Sequence, residues 1–343
     1  MSKQKRYLLA LLVIIMLGTM VAGCPQLRRA PEMIPAPDPE QDTPLDPRRP
    51  AAEPPPVPEE IDAGDNQEPR LRVFIAEENQ VTEMEMEEYL MGVVAAEMNP
   101  DWDQEALAAQ AIIARSFTLQ KISEDGGVPK RNAHASTDIQ EFQAYNADEI
   151  NDNVREAVER TRGQVAVHGG EFIRGWFHAY AGPRTALADE GLGFDGPNPP
   201  YIHIVDSPAQ DIIPEEERDW EESFPLSEVR QAVQSITGDD PGEVTSVEIA
   251  DEGPSGRATV FRVNDVEVPA PEFRLALGST EMRATFVDEI EVEGNELVMS
   301  GTGYGHGVGM CQWGARAMAE DGQSAEEIVQ YYYDNIEIVN LWE

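Results

Sequence analysis

Lysine is nearly missing from this 343-residue chain: only Lys3, Lys5, Lys121 and Lys130 occur, against 65 aspartates and glutamates. The formal net charge is −40, and −43 once Lys3, Lys5 and Arg6 are removed. A field of that sign repels phosphate backbones and anionic lipid headgroups, which disfavours nucleic-acid binding and electrostatic attachment to a membrane. The same excess of acid over lysine resembles proteins adapted to high salt, where screening weakens self-repulsion. Cysteine is as scarce, with Cys24 and Cys311 alone. HExxH and GK[ST] are both missing, which argues against a zinc amidase and a phosphate-binding loop. No internal repeat is visible.

The first residues place the chain in a compartment. Lys3, Lys5 and Arg6 precede an apolar stretch over residues 8–20. That stretch falls short of the roughly 20 residues a membrane span needs. It closes on Val21-Ala22-Gly23-Cys24, which resembles a bacterial lipoprotein signal over residues 1–23, with lipid on Cys24. No internal disulfide then remains, and Cys311 is expected to be a buried thiol. Residues 24–69 form a Pro-rich acidic linker: 13 of the 26 prolines fall there. Such composition buries too little apolar surface to fold, and reads as a disordered tether of up to on the order of 100 Å.

Residues 70–343 read as a single α+β domain of mixed helices and strands. The patterning predicts a strand over residues 70–76, a helix over 85–98 stopped by Asn99-Pro100, and a second helix capped by Asp103 and running to 121. Loop follows over 124–152. Gly169-Gly170 joins a hairpin of 164–168 and 171–178. Further strands are expected at 201–205, 244–249, 258–263 and 289–300, and helices at 227–235, 312–320 and 325–333.

The least accidental stretch is GTGYGHGVGMCQWGA, residues 301–315, with glycine at every second position from Gly301 to Gly309. Extended, it would present bare backbone on one face and Thr302, Tyr304, His306, Val308 and Met310 on the other. Its glycines also let a ligand or strand approach closely.

Two ionisable residues stand on apolar helix faces. Glu97 has Val93 and Val94 one turn back, and a carboxyl among apolar groups rises in pKa toward neutrality, as a general acid requires. Glu87 and Glu88 read as first-turn or surface charges. Arg115 lies on a stripe with Ala108, Ala111, Ile112 and Leu119. It either orients Glu97 or a substrate oxygen, or forms an internal salt bridge.

EEYLMGVVAAEM, EALAAQAIIARSF, FQAY, FHAYAGPRTA, SGRATVFRV and GYGHGVGMCQWGARAMAEDG, with a YYYDN ending, together resemble the SpoIID/LytB family of stage II sporulation protein D-like lytic transglycosylases. The resemblance spans about residues 71–343. It implies a membrane-anchored enzyme on the extracytoplasmic side of the cell envelope. Such an enzyme cuts the MurNAc–GlcNAc bond of peptide-stripped peptidoglycan strands, leaves a 1,6-anhydro end, and works alongside a cell-wall amidase. It assigns Glu97 as the catalytic acid/base, with Arg115, Gln143, Tyr145, His178, Arg184, His306 and Gln312 as contacts for sugar hydroxyl and N-acetyl groups. Tyr145 and Tyr180 would pack on sugar rings, and the glycine ribbon would form one wall of the cleft. Similar proteins that hold zinc carry cysteines before the QxY block. This chain has His134, Ser136 and Thr137 there, which argues against such a site, and a site of His134, His178 and His306 would need a coincidence of fold. No other cofactor is implied. The family's other label, amidase enhancer, implies an alternative: a catalytically silent wall-binding lipoprotein that recruits or stimulates an amidase.

Overall fold

The computed structural model describes residues 54–64 and 66–343. The expected signal, Cys24 and most of the expected tether lie outside the described residues. The last part of that tether is packed rather than free. Pro55, Pro58 and Pro69 are buried, and Ile61 joins the main core at 4% exposure. Glu68 accepts from the backbone N–H of Glu87 at 2.7 Å and pairs with Arg162.

Strand β1 (Arg70–Ile75) pairs antiparallel with β2 (Gln80–Glu85). The second strand is largely exposed, so its residues carry no apolar alternation to betray it. Helix α1 (Met86–Glu97) ends just before Asn99-Pro100. Helix α2 (Gln104–Asp125) starts where the Asp103 carboxylate accepts from the Glu105 N–H at 2.9 Å. Its alanines let α1, a later helix pair and a strand pack close around it, and it is buried on nearly every face. The stretch read as loop holds β3 (Ala135–Ser136), parallel to β1, and ends at α3 (Asp152–Arg160). Val154, Ala157 and Val158 are the buried stripe of α3, and Asn151 caps it. Strands β4 (Gln164–His168) and β5 (Glu171–Phe172) form the expected hairpin, with Gly169 and Gly170 at φ +61° and +85°. Strand β6 (Phe177–His178) leaves that hairpin to pair elsewhere. The segment expected as strand 201–205 is irregular, with one bridge from Ile202 to Tyr333. A short helix α4 (Ala188–Leu192) precedes it.

The next segment builds a second core. Helix α5 (Glu215–Arg218) leads into β7 (Asp219–Pro225) and α6 (Leu226–Thr237). Strands β8 (Val247–Glu252), β9 (Ala258–Val263) and β10 (Val266–Pro269) form one three-stranded sheet, followed by α7 (Ala270–Leu277). The expected strand 289–300 is two strands, β11 (Val287–Glu293) and β12 (Glu296–Thr302), folded at Gly294 and completed by β7. Trp220, Phe224, Val233, Phe261, Phe273 and Met299 fill the space between these layers.

The chain then returns to the first core. Strand β13 (Met310–Cys311) pairs parallel with β6, and α8 (Gln312–Glu320), α9 (Ala325–Tyr332) and β14 (Glu337–Asn340) follow. Strand β14 closes on β4, while α8 and α9 pack on α2. The described residues thus form the expected α+β mixture of helices and small sheets. Among them no helix is long and apolar enough to cross a membrane.

Candidate active site around Glu97

Glu97 is the last residue of α1, the end of a helix at which the macrodipole disfavours a negative charge. It is only partly exposed. Burial is the main cause that pushes its carboxyl up to about 7, opposed by hydrogen bonds from the Ala144 N–H and the Gln312 side chain. The Ala144 bond is 2.8 Å long. Gln312, the first residue of α8, also donates to Gln110 Oε1 on α2 at 3.4 Å. The acid therefore sits where three elements meet, with a donor from each side.

The segment carrying Ala144 is held against α1 by a glycine. A Cβ at Gly92 would fall inside the Tyr145 ring, and Gly92 O accepts from Asn146 N at 2.9 Å. Tyr145 stacks on Tyr89 at 5.9 Å, and remains partly exposed. Gln143 is buried and donates to Thr118 Oγ1 at 3.0 Å, with its own Oε1 unpaired. Gly92, Tyr89, Gln110 and the Ala144 N–H were not legible as site residues. Tyr89 and Gln110 look like ordinary core positions, and a backbone donor leaves no trace in a motif.

Arg115 is absent from this constellation. Its side chain has no exposure and forms a bidentate pair with Glu87 at 3.2 and 2.5 Å, with a further bond to Gln164 O. Glu87 also accepts from Gly163 N and Trp342 Nε1. Glu87 lies ten residues before Glu97 on α1, a rise of about 15 Å. Of the two readings of Arg115, the structure selects the internal salt bridge, and Glu87 is its buried partner rather than a surface charge.

The glycine ribbon also departs from expectation. Gly303, Gly305, Gly307 and Gly309 have φ of +108°, +109°, +81° and +73°, so beyond Thr302, where β12 ends, the segment is not an extended strand. Its glycine backbone packs against protein. Tyr304 exchanges two backbone hydrogen bonds with Tyr180, Gly307 O accepts from Ala186 N, and Met310 N donates to Trp176 O. A Cβ on Gly305 would meet His178 Cβ at 2.7 Å. Tyr180 is buried at 1% exposure, which removes it as a sugar platform. Arg184 is half-exposed and lies 3.8 Å from Asp206.

His178 and His306 meet edge to face at 5.4 Å, while His134 accepts from Arg72 N at 3.1 Å beside β3. His306 Nδ1 accepts from Val308 N at 3.0 Å. Burial is the main cause that pushes His306 down to about 3 and His178 down as well, so both are neutral at physiological pH. His178 Nε2 has no partner. His168 and His203 bond to the carbonyls of Asn335 and Tyr331. Cys311 is buried, and its sulfur caps α8 by accepting from Gly314 N at 3.3 Å.

The family profile described as SpoIID, stage II sporulation protein, matches residues 76–168, a span that contains Glu97, Arg115, Gln143 and Tyr145. An uncharacterized protein of Brachyspira hyodysenteriae is 32% identical over 261 residues, which cover 76% of this chain and 68% of that protein. The chain belongs to the SpoIID/LytB family. Stage II sporulation protein D of Bacillus subtilis is 27% identical over 290 residues, covering 78% of each chain. The amidase enhancer of the same organism is 26% identical over 289 residues, 71% of this chain and 39% of its own. Within this SpoIID/LytB member, the profile span holds the whole α1–α2 unit and the Tyr145 segment. Gln312 and the ribbon come from the C-terminal part, so the constellation around Glu97 is assembled from both.

Proposed function

We propose that this protein acts at the cell wall as a lytic transglycosylase, cutting the MurNAc–GlcNAc β-1,4 bond of peptidoglycan strands with Glu97 as sole acid and base. The observation that supports this most is the carboxyl of Glu97, raised to about 7 by burial and held by donors on two sides. A group that titrates near neutrality is populated in both protonation states there, which suits it to give a proton and take one back.

In the first step protonated Glu97 donates to the glycosidic oxygen as the C1–O bond breaks. The resulting carboxylate accepts the proton of the C6 hydroxyl while O6 bonds to C1, closing the 1,6-anhydro ring and restoring the acid. No water is consumed. The N–H of Ala144 and the amide of Gln312 hold the carboxylate during its ionised phase. Tyr145, partly exposed and backed by Tyr89, offers a face for a sugar ring. Gln143 is buried with Oε1 unpaired, a candidate acceptor beside it. Arg115 serves this site through the fold, by bracing α1 against α2.

The sequence around Cys24 supports a lipid-anchored protein on the extracytoplasmic face of the envelope, with an amidase supplying peptide-free strands. The likeness to the amidase enhancer favours a second reading, a wall-binding protein that stimulates an amidase without cutting glycan itself. Release of soluble fragments from peptide-free strands separates the two. The wild-type protein releases them and Glu97→Gln, equally folded, does not. A folded wild-type protein that releases nothing, yet accelerates an added amidase, belongs to the second reading.

A further inference from the structure

Gln110 stands on α2, a helix buried on nearly every face, and its side chain has no exposure. A buried primary amide loses hydration at both its oxygen and its nitrogen, so it normally pairs both. Gln110 pairs one. Its Oε1 accepts from Gln312 Nε2 at 3.4 Å, while its own Nε2 has no partner. One long hydrogen bond does not offset an orphaned donor, so an apolar side chain of similar volume would fill the core at least as well. What the amide contributes lies at Gln312.

Gln312 has a fixed backbone and a free end. It opens α8, where Trp313 N donates to Ala179 O at 3.1 Å and Gly314 N donates to Cys311 Sγ at 3.3 Å. These bonds hold the main chain but not the terminal amide torsion, whose own preference is broad. The Glu97 carboxylate lies on one side of that amide and Gln110 Oε1 on another. Both are acceptors, and only the amide nitrogen, with two N–H groups, satisfies both at once. Turned over, the Gln312 oxygen would oppose acceptors instead. Charge plays no part in the arrangement: burial and the two hydrogen bonds are the causes that move Glu97. Tyr89 on α1 and Tyr145 beside Ala144 are raised by burial and stay neutral. From α8 and α2 the acid is met by the Gln312 amide, with the Gln110 amide behind it.

We propose that Gln110 is a positioning residue, which holds the Gln312 amide with an N–H toward Glu97 and so keeps a donor on the carboxylate that forms once the acid has given up its proton. It acts through Gln312 alone. Resting on the glycan reading above, that donor matters most as the C1–O bond breaks and negative charge appears on Glu97.

The test follows Glu97 itself. In full-length protein labelled with carbon-13 at the glutamate carboxyls, its signal is the one missing from Glu97→Gln. Gln110→Met keeps the volume and removes the acceptor, so the Gln312 amide is free to turn away. The Glu97 midpoint should then rise by about one unit. The alkaline limb of kcat/KM on peptide-free strands should move up with it, while kcat falls about tenfold and KM changes little. Melting temperature should hold or rise, because the orphaned donor is gone. A bond that only tied α8 to α2 would do the reverse, lowering the melting temperature and leaving the midpoint in place. Gln312→Met should raise the midpoint at least as far, and adding Gln110→Met to it should change nothing more, since nothing is left to act through. An unmoved midpoint in folded Gln110→Met overturns the proposal, and so do shifts that add in the double variant; Gln110→Leu makes the same comparison where Met does not fold. The titration needs no substrate. A wild type that titrates near neutrality but cleaves no glycan would sink the catalytic reading alone, and cleavage with an unmoved midpoint in Gln110→Met would sink only the positioning role.

Discussion

Ionising Glu97 costs the folded protein stability that neutral Glu97 does not. Its carboxyl titrates near 4.5 in an unfolded chain and at about 7 when folded. The folded state therefore binds more protons between those values, and stability is lost as pH rises through that window. A shift of that size corresponds to about 3 kcal/mol. Glu97→Gln should match the wild type in melting temperature near pH 4.5 and exceed it at pH 8. Melting curves at both pH values check this, and a Gln variant no more stable at pH 8 would remove the desolvated carboxyl. Arg115 makes the contrasting case. Replacing it with Met strands Glu87 in the core and should cost about 3–5 kcal/mol in denaturant unfolding, while changing Glu87 and Arg115 together should cost much less. Had Arg115 acted on substrate, activity would fall without that loss. Glu97 was legible because its apolar neighbours lie within one turn of it, whereas the partner of Arg115 lies 28 residues away, beyond any local pattern.

At the scale of elements, the ribbon shows how a motif can be conspicuous for packing rather than contact. Alternate glycines adopt positive φ so that the chain threads between Trp176–Tyr180 and Arg257 without side chains on that face. Gly309→Ala would place a Cβ into Trp176 O at φ +73°. That change should destabilise by more than about 2 kcal/mol, measured by thermal or denaturant unfolding; a neutral result would contradict the threaded ribbon. Helix α1 was legible from its Asn99-Pro100 stop, α2 from its Asp103 cap and helix-forming composition, and the β4–β5 hairpin from its Gly-Gly turn. Strands β2 and β7 were not, since each is largely polar along its exposed face. The pairing of β6 with β13 escaped notice because two-residue strands carry no period and their partners lie far apart in sequence.

The whole molecule explains why the candidate site draws on distant segments. The chain builds half of one core, then a second core from Trp220 to Met299, and returns to complete the first with β13, α8, α9 and β14. That return brings Gln312 to Glu97, 215 residues after it. The irregular order of helical and strand-like segments gave the α+β mixture; only the closed fold brings the acid, the Ala144 N–H and Gln312 together. The central claim is that one carboxyl runs both proton transfers and water stays out of the reaction. Mass spectrometry of the ends produced from peptide-free strands tests it most directly. The wild type should yield 1,6-anhydro-muramyl ends and Glu97→Gln none; reducing muramyl ends from the wild type, or anhydro ends that persist in Glu97→Gln, would contradict a single-carboxyl mechanism.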